Sequence, residues 1–147
     1  MQVCFVAGFG PIVRDLAASR AFWGDALGLP LAEAAPTYWA TDALAGVKAF
    51  ALWPLDQAAE SCFGRAPWPE EIPVPQAWIE FDVGSPEAVT EAVTELERAG
   101  HRVLRGAKEE PWHQITARLL SPEGLLTGIT YTPWMHQPDG SDTPGAG

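Results

Sequence analysis

The chain is poor in cysteine, in basic residues and in histidine, and it has no long apolar run. Cys4 and Cys62 are its two cysteines, and they form neither a CxxC pair nor a disulfide framework. A cytoplasmic chain with reduced thiols is expected. Nine Lys plus Arg stand against nineteen Asp plus Glu, a formal charge of -10. That balance leaves no broad cationic surface for nucleic acid or anionic lipid, so neither nucleic acid nor membrane is expected as a partner. No apolar stretch approaches the ~20 residues of a membrane span. The N-terminus has no basic segment followed by an apolar run and a small-residue cleavage site, so nothing there signals export. Three histidines leave few ways to assemble an imidazole-based centre.

There is ample apolar material for one core. Hydrophobic residues make up 47% of the 147 positions, and a single domain is expected at that length. Residues 3–9 read as a strand, with Val3, Cys4, Phe5, Val6 and Ala7 ahead of Gly8 and Phe9. Asp15 is the expected cap of a helix over 16–27. Leu16, Arg20, Trp23 and Leu27 trace one stripe of it, and Gly28 with Pro30 ends it. Two short strands are predicted at 37–41 and 47–53, and a third piece at Cys62-Phe63. Pro54, Pro67, Pro69, Pro73 and Pro75 punctuate the stretch 54–75, whose second half reads as a connector.

The second half is more regular. Residues 76–83 form a predicted strand with Trp78, Glu80 and Asp82 on one face and Ile79, Phe81 and Val83 on the other. Ser85 and Pro86 open a helix over 86–99, with Val89, Ala92, Val93, Leu96 and Ala99 as its stripe and Gly100 as its stop. Strands follow at 101–105, 112–120 and 125–132, the last two joined through Ser121-Pro122-Glu123-Gly124. Residues 135–147 are dominated by Pro, Gly, Asp, Ser and Thr and read as a flexible tail. The order strand, helix, Gly, strands occurs twice. Gly8 and Trp78 lie 70 positions apart, and so do the caps Asp15 and Ser85. A half of about 60 residues has too little interior to stand alone, so the halves should pack together or trade partners in a dimer.

Several segments carry a family resemblance. Ile12-Val13-Arg14-Asp15-Leu16, Ser19-Arg20-Ala21-Phe22-Trp23 and Ala26-Leu27-Gly28-Leu29 form one group, and Pro111-Trp112-His113-Gln114 and Ser121-Pro122-Glu123-Gly124 form another. In order and spacing they resemble the glyoxalase / bleomycin-resistance / extradiol-dioxygenase superfamily, the vicinal-oxygen-chelate fold. The resemblance implies an α+β fold of two βαβββ modules whose curved mixed sheets surround a cup-shaped cavity. It sets one domain over 1–134, with module one at about 3–63, a connector at about 64–75 and module two at about 76–134. It also implies a homodimer. Fold alone does not fix the chemistry, because the superfamily includes metal lyases, isomerases, dioxygenases and metal-free drug-binding proteins.

Carried over onto this chain, the family's ion-holding positions fall at Gly8, Trp78 and Gly128. Glycine has no donor and indole is none at neutral pH. No metal or other cofactor is therefore expected on the inherited positions, since an ion needs several converging N or O ligands. A relocated set would have to combine Glu80 with His113 or Gln114. Glu80 is also the one candidate catalytic base, if a cavity raises its pKa; the alternative is a strand acid paired with Arg118.

Seven tryptophans exceed what so small a core needs. Trp39, Trp53, Trp78 and Trp112, with Glu80, Gln114 and Arg118, are the candidate ligand-binding residues, since indole walls with a few fixed polar groups suit a planar or aromatic organic molecule. Three readings follow. The first is metal-free binding of such a molecule, with a resistance or sequestration role. The second is an enzyme, either a metal-dependent lyase, isomerase or oxygenase with relocated ligands or a metal-independent catalyst using Glu80. The third is a structural or regulatory partner protein whose cup is filled by its own side chains.

Overall fold

A computed structural model describes residues 1–136. The first strand, β1 (Phe5–Val13), runs longer than the predicted 3–9, straight through Gly10-Pro11. Asp15 caps α1 (Leu16–Arg20) as expected, its carboxylate accepting the Ala18 N–H at 3.0 Å. The chain then widens into a π turn over Ala21–Ala26, with Leu27 N–H returning to Phe22 O. The stripe read at 3.6-residue spacing is unwound there.

Three strands complete the first module: β2 (Ala32–Ala35), β3 (Tyr38–Thr41) and β4 (Phe50–Pro54). β2 lacks a sequence signal because Ala-Glu-Ala-Ala neither alternates nor contains a β-branched residue, and all four residues are exposed. The expected strand piece at Cys62-Phe63 is instead the end of a helix, α2 (Leu55–Phe63). Leu55, Ala58, Ala59 and Cys62 recur at helical spacing on one face. Gly64 closes the helix in the left-handed conformation, φ 74°, and its N–H reaches Glu60 O at 2.8 Å.

Module two follows its predicted order: β5 (Ala77–Asp82), α3 (Pro86–Arg98), β6 (Val103–Glu109), β7 (Ile115–Leu120) and β8 (Leu126–Tyr131). Ser85 accepts the Ala88 N–H at 3.1 Å with Pro86 at the first turn. The strand expected from residue 112 starts at Ile115, because 110–114 turn back with His113 at φ 71°. Met135 and His136, the first residues of the expected tail, lie within the described residues. Pro133–Met135 forms a 3-10 turn, and His136 Nε2 lies 2.8 Å from the buried Asp82 carboxylate; residues 137–147 lie outside the described residues.

All eight strands form one mixed sheet in the order β2-β3-β4-β1-β5-β8-β7-β6. The modules meet edge to edge within one chain, through antiparallel β1 and β5, with Gly10 opposite Trp78 and Gly8 opposite Glu80. This is an α+β fold. Strand alternation sorts the side chains between two faces. On the inner face lie Ala51, Trp53, Trp78 and Leu126, with α2 laid over them through Ala58, Ala59 and Cys62. The outer face carries two separate clusters, Val13, Phe50 and Leu52 beneath α1 and Val83, Ala117 and Ile129 beneath α3. No helix among the described residues is long and apolar enough to cross a membrane.

Candidate ligand site in the cup

The inner face of β5 presents Trp78 and Glu80, and that of β7 presents Gln114, at its entrance, then Thr116 and Arg118. Arg118 is 1% exposed. Its Nη1 donates to Glu80 Oε2 at 2.6 Å, and its Nε donates to Ser61 Oγ of α2 at 3.3 Å. Its guanidinium lies 4.8 Å from the centre of the Trp53 ring. Burial is the largest single influence on the Arg118 pKa and would lower it, but the charge and hydrogen bond of Glu80, with the contributions of Cys62 and Glu110, together outweigh it and the net shift is upward. The Arg118–Glu80 contact has the short geometry of a charge-assisted hydrogen bond.

The remaining acceptors of this network are satisfied. Gln114 Nε2 donates to Glu80 Oε1 at 3.0 Å and to Thr132 Oγ1 at 2.8 Å. Glu110 Oε1 accepts from Ser61 at 2.8 Å, from Thr116 at 3.0 Å and from Arg105 Nη2. Two carboxylates are thus matched by two guanidinium groups under α2. Burial, and then the negative charge of Glu80, push the Tyr38 hydroxyl pKa up. Burial pushes the Cys62 thiol up to about 11, so it stays protonated and unreactive at neutral pH.

The glycines fit around this arrangement. A methyl carbon built on Gly128 would fall 2.7 Å from Glu80 Cγ and 2.8 Å from Arg118 Nη1. On Gly8 it would fall 2.6 Å from two ring carbons of Trp78. Trp78 therefore fills the space in front of Gly8, donates its indole N–H to Ala51 O at 3.3 Å, and meets Trp53 edge-on at 5.7 Å. An indole thus fills the space before Gly8, and the Glu80–Arg118 pair the space before Gly128.

The other sequence candidates are distributed differently. Glu80, Gln114, Arg118, Trp53 and Trp78 come together in the cup. Trp39 does not: the register of β3 turns Tyr38 and Ala40 inward and Trp39 outward, where the Arg20 guanidinium stacks at 3.7 Å from its ring centre. Trp112 precedes β7 and is half-exposed, touching the cup through its indole N–H, which donates to Gln114 Oε1 at 2.8 Å. His113 is 82% exposed and pairs with Glu109, so it does not converge with Glu80. Sequence reasoning missed Ser61, Arg105 and Glu110. Ser61 was legible only through the helical spacing of Leu55, Ala58, Ala59 and Cys62; Arg105 and Glu110 sit in irregular backbone around the β6 bulges and carried no local signal. Two open clefts lie elsewhere. One of about 120 Å³ is lined by Arg20, Gly24, Asp25, Leu29, Leu31 and Trp39, and one of about 310 Å³ follows Arg65–Glu71; neither includes a cup residue.

A divalent ion does not fit this donor set. The carboxylate nearest the inherited positions is already held by a guanidinium, whose charge opposes a second cation at that distance, and among the described residues no group of three or more His, Cys, Asp or Glu could hold an ion.

Comparison with known proteins agrees with the architecture. The family model described as Glyoxalase/Bleomycin resistance protein/Dioxygenase superfamily matches residues 9–129. Among solved structures, a protein from Legionella pneumophila described as an NAD-dependent benzaldehyde dehydrogenase is 18% identical with a TM-score of 0.59, covering 84% of this chain and 96% of that one. A superfamily member from Vibrio splendidus is 17% identical with a TM-score of 0.55, over 88% and 99%. A methylmalonyl-CoA epimerase from Streptomyces coelicolor is 14% identical with a TM-score of 0.56, over 93% and 100%. At these identities the likeness is one of fold. No curated protein matches the chain.

Proposed function

The chain belongs to the glyoxalase/bleomycin resistance protein/dioxygenase superfamily, and from that premise we propose that it is a metal-free member that binds a small planar or aromatic organic molecule, in a sequestering or resistance role. One observation carries this reading: the Arg118–Glu80 pair is packed against Gly128, one of the three positions to which the family resemblance carries an ion ligand and which here has no donor side chain. A guanidinium supplies fixed positive charge and directional donors. Glu80 accepts from both Arg118 and Gln114, so both of its oxygens are engaged. Cys62 is held as a thiol. The apolar walls are Trp53, Trp78 and Tyr38, and the first two present crossed ring faces.

In the closed form the Arg118 guanidinium rests on Trp53 and α2 lies across the cup, so ligand entry requires α2 to lift. That motion breaks the Ser61 contacts to Arg118 and Glu110 and frees the Trp53 face. Titration of the protein with a panel of planar aromatic cations and phenols, followed by tryptophan fluorescence, tests the reading. Saturable quenching that weakens in both Trp53→Phe and Trp78→Phe is expected. One equivalent of transition metal in protein purified without chelator overturns it.

A second reading has its own observation. The cup is filled by Arg118, Glu80, Gln114, Trp78 and the inner face of α2, which suits a protein whose fold serves as a scaffold for a partner. Absence of saturable binding across the panel, with the cup tryptophans remaining inaccessible to added quencher, selects this reading over the first.

A further inference from the structure

We propose, on the basis of the ligand-binding reading above, that Arg105 selects the cup's ligand by donating to an uncharged carbonyl oxygen on it. Arg105 belongs to β6, the edge strand of module two, and register sets it directly opposite Arg118 of β7. Like charges opposed across a strand pair destabilise it unless each is matched. The two arginines are matched unequally. Arg118 donates through both Nε and Nη1, to Ser61 and to Glu80. Arg105 donates through Nη2, to Glu110 Oε1. Its Nε and Nη1 are buried and have no hydrogen-bond partner among the described residues, and the side chain as a whole is 16% exposed. A buried donor left unpaired is costly, and nearly all such groups in folded proteins find a partner.

The backbone holds Arg105 in this position. The pairing of β6 with β7 shifts register on both sides of it, between Val103 and Arg105 and again between Arg105 and Lys108. Such irregularities re-aim side chains and gather beside binding sites. Here the guanidinium is turned under α2, where Ser61 and Arg105 both donate to Glu110 Oε1. Lifting of α2, the motion that opens the cup, breaks the Ser61 contact and uncovers the same spot.

Charge decides the class of acceptor. The two guanidinium groups already face two carboxylates, Glu80 and Glu110. What Arg105 has to spare is donors, not charge. A ligand carboxylate placed there would lie beside Glu110 and add an uncompensated negative charge to a chain of formal charge -10. A neutral carbonyl oxygen takes the free N–H groups and leaves the charges balanced.

Isothermal titration calorimetry of the full chain with naphthalene, acetonaphthone and naphthoate, which share one ring system and differ in the acceptor, tests this. Acetonaphthone is expected to bind about tenfold more tightly than either of the others. Arg105→Lys keeps a charge for Glu110 but gives up the planar donor fork. The double variant Arg105→Met with Glu110→Gln removes both charges, so that neither is left buried and unpaired. Both should bring acetonaphthone down to the affinity of naphthalene, whose own binding stays unchanged. Tighter binding of naphthoate, or a preference for acetonaphthone that survives in both variants, overturns the proposal. So does equal binding of acetonaphthone and naphthalene by the unsubstituted chain, the result expected if water alone takes the free donors; that result leaves the ligand-binding reading standing. Binding of none of the three overturns both together.

Discussion

The two modules share an order of elements and almost nothing else. In module two, α3 buries Val89 and Ala92 completely over a closed cluster of Val83, Ala117 and Ile129. In module one, the corresponding helix is a five-residue α-turn that opens into a π turn and buries no residue. The division continues inside the cup. Module one contributes mostly apolar side chains, Ala51 and Trp53 with Tyr38 beside them, while module two contributes Glu80, Gln114, Thr116 and Arg118. Even the paired positions are complementary, since Trp78 fills the space that Gly8 leaves open. A repeated sequence order therefore fixes connectivity, and each copy is free to specialise in what it packs against.

The strongest way to break that contrast is to remove the charge of module two. Arg118→Met leaves a buried carboxylate without its partner and should cost about 3–5 kcal/mol in chemical denaturation. The double substitution Arg118→Met with Glu80→Gln should regain most of that loss, because it removes both charges. Equal instability of single and double variants would show that packing, not charge compensation, sets the cost.

A second test joins the modules. Gly8→Ala drives a methyl into the Trp78 ring and should cost up to about 3 kcal/mol. Coupling with Trp78→Phe in a double-mutant cycle should be nonzero, as the two side chains share one space. A third sharpens the contrast between helices. Val89→Ala in α3 should cost about 2 kcal/mol, and Phe22→Ala in module one less than about 0.5 kcal/mol in the monomer. Comparable losses would mean that α1 is more tightly packed than its exposure indicates.

The smallest effect concerns the two thiols. Cys4 is exposed and Cys62 buried, so a thiol reagent at mildly alkaline pH should label Cys4 in the folded protein and reach Cys62 only on unfolding. The Cys62 pKa is raised on folding, from 9.0 to about 11. Its contribution is fully present below pH 9 and is lost as pH rises through about 11, because the unfolded thiol ionises first. Cys62→Ala should flatten that alkaline decline in melting temperature.

Much of the skeleton was readable locally. Asp15 and Ser85 are capping residues beside apolar stripes, and the alternation of 76–83 placed Trp78, Glu80 and Asp82 on one face. β2 was not readable, since an exposed edge strand of Ala and Glu has no pattern to betray it. The helix α2 was obscured by the prolines around it, although Leu55, Ala58, Ala59 and Cys62 carried its spacing. Trp39 was a matter of register: a shift of one residue exchanges the two faces of a strand, and indole itself favours neither.

By itself the sequence determined the helices capped by Asp15 and Ser85, the alternation of the strand that follows residue 76 and the lack of donor side chains at Gly8, Trp78 and Gly128, for these follow from residue identity, capping and short-range periodicity. Only the tertiary structure decided that Arg118 and Glu80, 38 positions apart, close the centre of the cup, and that Ser61, 57 positions from Arg118, seals it. Local periodicity assigns a residue to a face, but which faces are brought into contact depends on strand pairing and on where α2 comes to rest, and those are set by the packing of the whole sheet.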